Sequence, residues 1–340
     1  MPYQEPGTCR FFVDQLLWLH SLGLGKAYSS NLNVFDLNPT TISTQASGSA
    51  NWDIRFNTTT SLYGLNYIAI LGHNMASGQH NFNLEVRKDG VAIANPMVSG
   101  SLHNDVSINN TWNWTAGGTA SGTDAALIPA YDGFSIMMSN TKYDIDYAYD
   151  QLMFYNITET YDWKVGCLSL GSFYDMPHSA DLKISMERQM DGVKKVRTRG
   201  GNDLVDYRYH KPPMWGGLPA WELDPIVGDF QQELARSGRR IWHLSFSYLQ
   251  DSDIFPVSSS VNWEGVYPDN TSNHNLLLED DTFYGQVIHK TNGGQLPFIF
   301  QPDVNDNTNF AIAKFDMNSF QFSQQAPNLY RISLKIREVW

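Results

Sequence analysis

The chain has 340 residues, 42% of them hydrophobic and 13% aromatic, enough apolar side chain to bury the cores of two ordinary domains and to exclude a chain that is mainly disordered. Only 17% are charged, against about 25% in a typical soluble protein, and the formal net charge of −12 argues against a general nucleic-acid binder. Asn, Ser, Thr and Gly fill the polar positions, which suits turn-rich β folds.

Taken in chain order, the apolar residues 11–24 come first. Asp14, Gln15, His20 and Gly23 interrupt them, the stretch is too short to span a bilayer, and no basic leader precedes it. Neither membrane insertion nor an export signal is expected, and residues 11–20 are predicted as a short helix. Residues 65–71, with Tyr67, Ile68, Ala69 and Ile70, are almost continuously apolar and predict a central strand buried on both faces. The turn-like Gly72-His73-Asn74 closes it. Lys88-Asp89-Gly90 predicts a hairpin between residues 82–86 and 91–94. A polar segment at 156–164 is the predicted boundary between domains at 1–158 and 159–340.

Beyond that boundary, Leu182, Ile184 and Met186 alternate with Lys183, Ser185 and Glu187, and Asp191-Gly192 predicts a hairpin between residues 182–190 and 193–199. Residues 211–238 form an excursion rich in Pro, Gly and Trp, including Trp215 and Trp221. A helix is predicted over 229–237, from Asp229 as cap to Gly238. Trp242, Leu244, Phe246 and Tyr248, then Tyr330, Ile332, Leu334 and Ile336, alternate with polar residues as half-buried strands do. The fold class expected is all-β, with two β-sandwich, jelly-roll-like domains and little helix.

Chemistry is sparse. Cys9 and Cys167 stand far apart in no metal-ligand spacing and read as buried thiols. Gly23-Leu24-Gly25-Lys26 lacks the upstream Gly and the following Ser or Thr of a phosphate loop, and no Gly-x-Ser-x-Gly elbow occurs. Asp303, Asn305 and Asn307 match the first ligands of a calcium loop, but Thr308 and Lys314 occupy positions that need Gly and Glu, so an Asx-rich turn is expected. Glu279-Asp280-Asp281 and Asp144, Asp146 and Asp150 supply carboxylates for a glycosidase only if two of them face each other. Sequons at Asn57, Asn109, Asn113, Asn156 and Asn270 matter only in a secretory protein. No catalytic residue, metal or cofactor is expected, and the chain reads as non-enzymatic.

Trp112 and Trp114, beside amides and ahead of Gly117-Gly118, offer either aromatic faces for sugar stacking or two core side chains. Residues 52–56 (Trp-Asp-Ile-Arg-Phe) and 65–74, ending Tyr-Ile-Ala-Ile-Leu-Gly-His-Asn, resemble the galactose-binding-like jelly-roll domains in tail proteins of tailed bacteriophages. That resemblance makes His73 and Asn74 candidate ligand contacts; the alternative is that they bond backbone groups of the turn. Lys194, Lys195, Arg197 and Arg199 form a cationic run on an acidic chain. With Trp215 and Trp221 they are candidate subunit-interface residues, or else a solvated hairpin edge.

Residues 174–179 (Tyr-Asp-Met-Pro-His-Ser), 190–195, 239–242 and 315–340 resemble structural proteins of marine tailed phages, nearest to distal-tail or tail-tip components. The resemblance implies a virion location in the tail, a homo-oligomer (ring or trimer), other tail proteins as partners and a host-surface glycan as a further one. Here the jelly-roll-like segment leads, whereas in the usual distal-tail plan the ring-forming domain comes first. The alternatives are a carbohydrate-binding adhesin or receptor-binding protein and, third, a glycan-degrading enzyme.

Overall fold

The computed structural model describes residues 7–27, 32–38, 41–45, 52–60, 62–73, 82–88, 91–93, 112–116, 134–145, 151–156, 162–182, 184–189, 194–206, 214–215, 218–219, 239–255, 281–306 and 309–339. Its strands are β1 (Arg10–Asp14), β2 (Gly25–Ala27), β3 (Ser43–Gln45), β4 (Trp52–Thr58), β5 (Leu62–Leu71), β6 (Phe82–Lys88), β7 (Val91–Ile93), β8 (Trp112–Ala116), β9 (Phe134–Ile145), β10 (Gln151–Asn156) and β11 (Trp163–Val165). They continue as β12 (Cys167–Asp175), β13 (Ser185–Gln189), β14 (Lys194–Arg197), β15 (Asp203–Asp206), β16 (Met214–Trp215), β17 (Leu218–Pro219), β18 (Arg239–Gln250), β19 (Phe298–Gln301), β20 (Ala311–Phe315), β21 (Phe322–Ala326) and β22 (Leu329–Glu338). Helix among the described residues is confined to short pieces, chiefly α1 (Gln15–Ser21), α2 (Asp251–Ile254) and a π-helical segment at Tyr284–His289. The chain is therefore predominantly β, as its alternation and turn chemistry predict.

One antiparallel sheet of 11 strands dominates, in the order β13-β18-β22-β20-β19-β1-β12-β5-β9-β8, with β21 paired to β22. A five-stranded sheet, β2-β4-β10-β6-β7, draws on the first half of the chain alone. The large sheet does not divide at the boundary expected at 158/159. β1 lies between β12 and β19, and β12 pairs with β5, so that Cys167 stands opposite Leu71. Strand pairing between distant segments leaves no mark on local composition.

β1 explains the junction. Phe11 and Val13 enter one core, with Trp242, Phe246, Phe283, Phe298 and Phe300, whereas Phe12 enters a second, with Tyr67, Leu71, Ile136 and Ile312. Successive side chains of a strand point to opposite faces, so three consecutive apolar residues serve both cores. Phe11 sits 5.3 to 5.9 Å, centroid to centroid, from Phe283, Phe298, Phe300 and Phe315, the tilted, edge-on and stacked arrangements that aromatic rings favour. β12 approaches β1 so closely that a Cβ on Gly171 would lie 2.0 Å from the Val13 carbonyl oxygen. The helix predicted over 11–20 is thus corrected: residues 10–14 are strand, and α1 begins at Gln15. Asp14 makes that switch, its Oδ1 accepting hydrogen bonds from the Leu16 and Leu17 amides at 2.8 and 3.1 Å.

The predicted central strand is β5, buried from Leu65 to Leu71 between β12 and β9. The hairpin predicted at Asp89-Gly90 is present, with Lys88 opposite Val91. The one predicted at Asp191-Gly192 is not the pairing adopted: β13 pairs with β18, and β14 pairs with β15. β14 and β15 turn instead through Thr198–Asn202, where Thr198 Oγ1 accepts from the Asn202 amide at 3.1 Å and Gly201 has φ +85°. The predicted helix at 229–237 lies outside the described residues, as does most of the 211–238 excursion apart from the paired β16 and β17.

Candidate interaction surface

Of the residues singled out for glycan contact, His73 and the backbone of Trp112 and Trp114 lie within the described residues. His73 follows β5 and is 1% exposed, and burial pushes its imidazole down to about 3, so it is neutral at physiological pH. A side chain so enclosed packs within the fold. Gly72, at φ +67°, turns the chain just before it. Asn74 lies outside the described residues.

Trp112 and Trp114 occupy β8, the last strand of the large sheet among the described residues. β9 separates β8 from β5, and Trp114 is level, through Met137, with Ile68 rather than with His73. Asp144 lies in β9, Asp281 forms an exposed ion pair with Lys142, and Asp146, Asp150, Glu279 and Asp280 lie outside the described residues.

At 303–306 the expected Asx turn forms: the Asn305 amide donates to Asp303 Oδ1 at 2.9 Å and the Asp306 amide to the Asp303 carbonyl at 3.0 Å. Among the described residues no cluster of His, Cys, Asp or Glu could hold a metal ion, and no helix is long and apolar enough to cross a membrane. Both cysteines are buried free thiols, as expected. Cys9 donates to the Pro302 carbonyl at 3.2 Å and burial pushes its thiol up to about 12, while burial also raises Cys167.

The cationic run lies on β14 and the residues just after it. β14 and β15 form a two-stranded sheet of their own, outside the large one. Lys194 stands opposite Asp206, Arg197 opposite Asp203, and Val196 opposite Leu204. Lys195, Arg197 and Arg199 are exposed, and so is the apolar pair, Val196 at 60% and Leu204 at 62%. The side chains of Lys194, Trp112, Trp114 and Trp215 lie outside the described residues, as does Trp221 altogether. In the large sheet, all five residues of the terminal strand β13 are exposed, together with Leu182 and Ile184 just before it.

Sequence reasoning found the cations and missed their setting. Acidic residues face two of them across the hairpin, and the distinguishing feature is apolar side chain left in water. The signal was present in the alternation of Leu182, Ile184 and Met186, which marks a strand but not whether anything covers it.

No family model and no curated protein matches the chain. A solved structure, CBM32-1 from a family 31 glycoside hydrolase from Clostridium perfringens, is similar over 44% of this chain and 94% of that one, at 11% identity and a TM-score of 0.27. A likeness at that level does not bear on what this chain binds.

Proposed function

We propose that this chain is a non-enzymatic structural component of a bacteriophage tail, of the distal-tail or tail-tip kind, which assembles with copies of itself and with other tail proteins. The observation that carries the reading is the hairpin β14–β15, a two-stranded sheet with the apolar pair Val196 and Leu204 in solvent beside Lys195 and Arg197. A lone two-stranded ribbon is marginal in water, and apolar side chains flanked by charge are what an assembly contact covers. On a chain of net charge −12, cations at that contact steer it toward an acidic surface of a neighbouring copy. The resemblance to tail proteins supports the same reading. Its Asp175 is held by Arg10 through Nε at 2.5 Å and Nη2 at 2.7 Å, and its Met176 is buried, so these residues carry the fold on which the surface is built.

Reversing charge at Lys195→Glu together with Arg197→Glu is expected to weaken self-association at least about tenfold, or about 1.4 kcal/mol, and to leave the melting temperature unchanged because both side chains are exposed. A variant that keeps the wild-type sedimentation profile across a range of salt, or that still enters particles, overturns the reading. The alternative, a carbohydrate-binding adhesin, draws on the two tryptophans Trp112 and Trp114 in β8. Glycan-array binding lost in Trp112→Ala and Trp114→Ala, from a chain that sediments as a monomer, would favour it instead.

A further inference from the structure

We propose that two copies of this chain pair edge to edge through β13, antiparallel and centred on Met186, so that the large sheet continues from one copy into the other. The proposal deepens the assembly reading above and rests on it for the nature of the partner.

β13 is the terminal strand of the large sheet. One side pairs with β18, and among the described residues nothing pairs with the other. Unpaired edges template strand addition, and natural proteins cover, shorten or charge them. Here the apolar content points outward. Met186 stands directly opposite Trp242 and shares its face of the sheet. Trp242 is buried in the core, its ring 5.3 Å from Phe300, yet Met186 is 51% exposed and Ile184 39%. The core-side face of the sheet therefore runs out into solvent at β13, and one more strand would carry it on.

Charge selects the register and, with it, the occupant. Antiparallel strands related by a two-fold axis always place one residue opposite its own copy, because opposed residues share a face and the same backbone direction. Centring on Glu187 sets two carboxylates opposite each other, and centring on Arg188 sets two guanidinium groups opposite each other. Both are unfavourable. Centring on Ser185 or Gln189, the ends of the strand, leaves a single pair within β13. Met186 remains. It meets Met186 of the second copy, Ser185 meets Glu187 in both directions so that a hydroxyl can donate to a carboxylate, and Ile184 lies along the aliphatic stem of Arg188.

Cross-linking tests the register directly. Met186→Cys, in a chain whose own Cys9 and Cys167 are buried, is expected to give a disulfide-linked dimer on mild oxidation with copper phenanthroline. Ser185→Cys and Glu187→Cys should cross-link at least about tenfold more slowly, since neither faces its own copy in this register. Met186→Asp, which opposes two carboxylates, should lower dimer association at least about tenfold and leave the monomer's melting temperature unchanged.

Equal cross-linking at all three positions, or an unaltered association constant for Met186→Asp, overturns the pairing. If Lys195→Glu with Arg197→Glu disperses the assembly while Met186→Cys fails to cross-link, the edge pairing is wrong and the assembly reading stands. If Met186→Cys cross-links to itself while charge reversal has no effect, the edge pairing stands and the hairpin reading falls. Cross-linking of Met186→Cys only to a different protein overturns the choice of a second copy.

Discussion

Between pH 6.5 and about pH 4, Asp14→Asn is expected to lose stability relative to the wild-type chain, and His73→Gln to gain it, by roughly 3 kcal/mol each. The two wild-type groups are buried and oppose one another. Burial pushes Asp14 up from 3.8 to about 7, offset in part by the hydrogen bonds its Oδ1 accepts from the Leu17 and Leu16 amides. Its folded pKa exceeds the unfolded one, so its contribution is fully present below pH 3.8 and is lost as pH rises through 7. Burial pushes His73 down from 6.5 to about 3, so its contribution is present above pH 6.5 and is lost as pH falls toward 3. Across the shared window the native state holds one extra proton at Asp14 and lacks one at His73, and the slopes cancel.

Each substitution removes one slope and unmasks the other. Asn at position 14 keeps the cap on α1, because its amide oxygen still accepts from the helix amides. Urea unfolding of the three proteins at a series of pH values measures this. Three parallel profiles would show that neither group titrates differently in the folded state.

The second large effect lies at the joint of β18, β20 and β22. Arg240 is buried, and its Nη2 and Nε donate to Glu338 Oε1 and Oε2 at 2.8 and 3.2 Å, while the Arg240 amide donates to Oε2 at 2.9 Å. The remaining donors reach Asn309 Oδ1 at 2.8 Å and the Phe310 carbonyl at 2.5 Å, and the guanidinium carbon lies 5.1 Å from the Trp242 ring centroid. Each nitrogen of the guanidinium therefore donates to a partner.

Glu338→Ala is expected to cost about 3–5 kcal/mol, since it strands a buried guanidinium, whereas Arg240→Met combined with Glu338→Leu should recover most of that loss. Denaturant midpoints of the single and double variants decide it. A single variant within about 1 kcal/mol of wild type would mean that water reaches the site and relieves the charge.

Local pattern showed the strands well. The continuous apolar run at 65–71 became β5, the alternation at 330–336 became part of β22, and Asp89-Gly90 lies between the paired β6 and β7. These features depend on period and turn chemistry within a few residues. Long-range pairing was not legible. Nothing around Phe11, Phe12 and Val13 indicates a strand that joins two cores, and the apolar run there merges into α1 without a break in hydrophobicity. Arg240 and Glu338 are 98 positions apart, so their pairing has no sequence signature.

The interaction surface was half legible, for a related reason. Lys195, Arg197 and Arg199 stand out by composition on an acidic chain, but the exposure of Val196, Leu204 and Met186 depends on what the rest of the fold leaves uncovered. His73 shows the reverse case. A histidine after a strand-ending glycine has the look of a surface turn, and packing encloses it.

Sedimentation equilibrium of the purified wild-type chain over a range of concentration tests the central claim of self-assembly most directly. The account predicts a mass that is a multiple of the 38.5 kDa chain and falls toward one chain on dilution. A mass of 38.5 kDa at every concentration and every salt would contradict it.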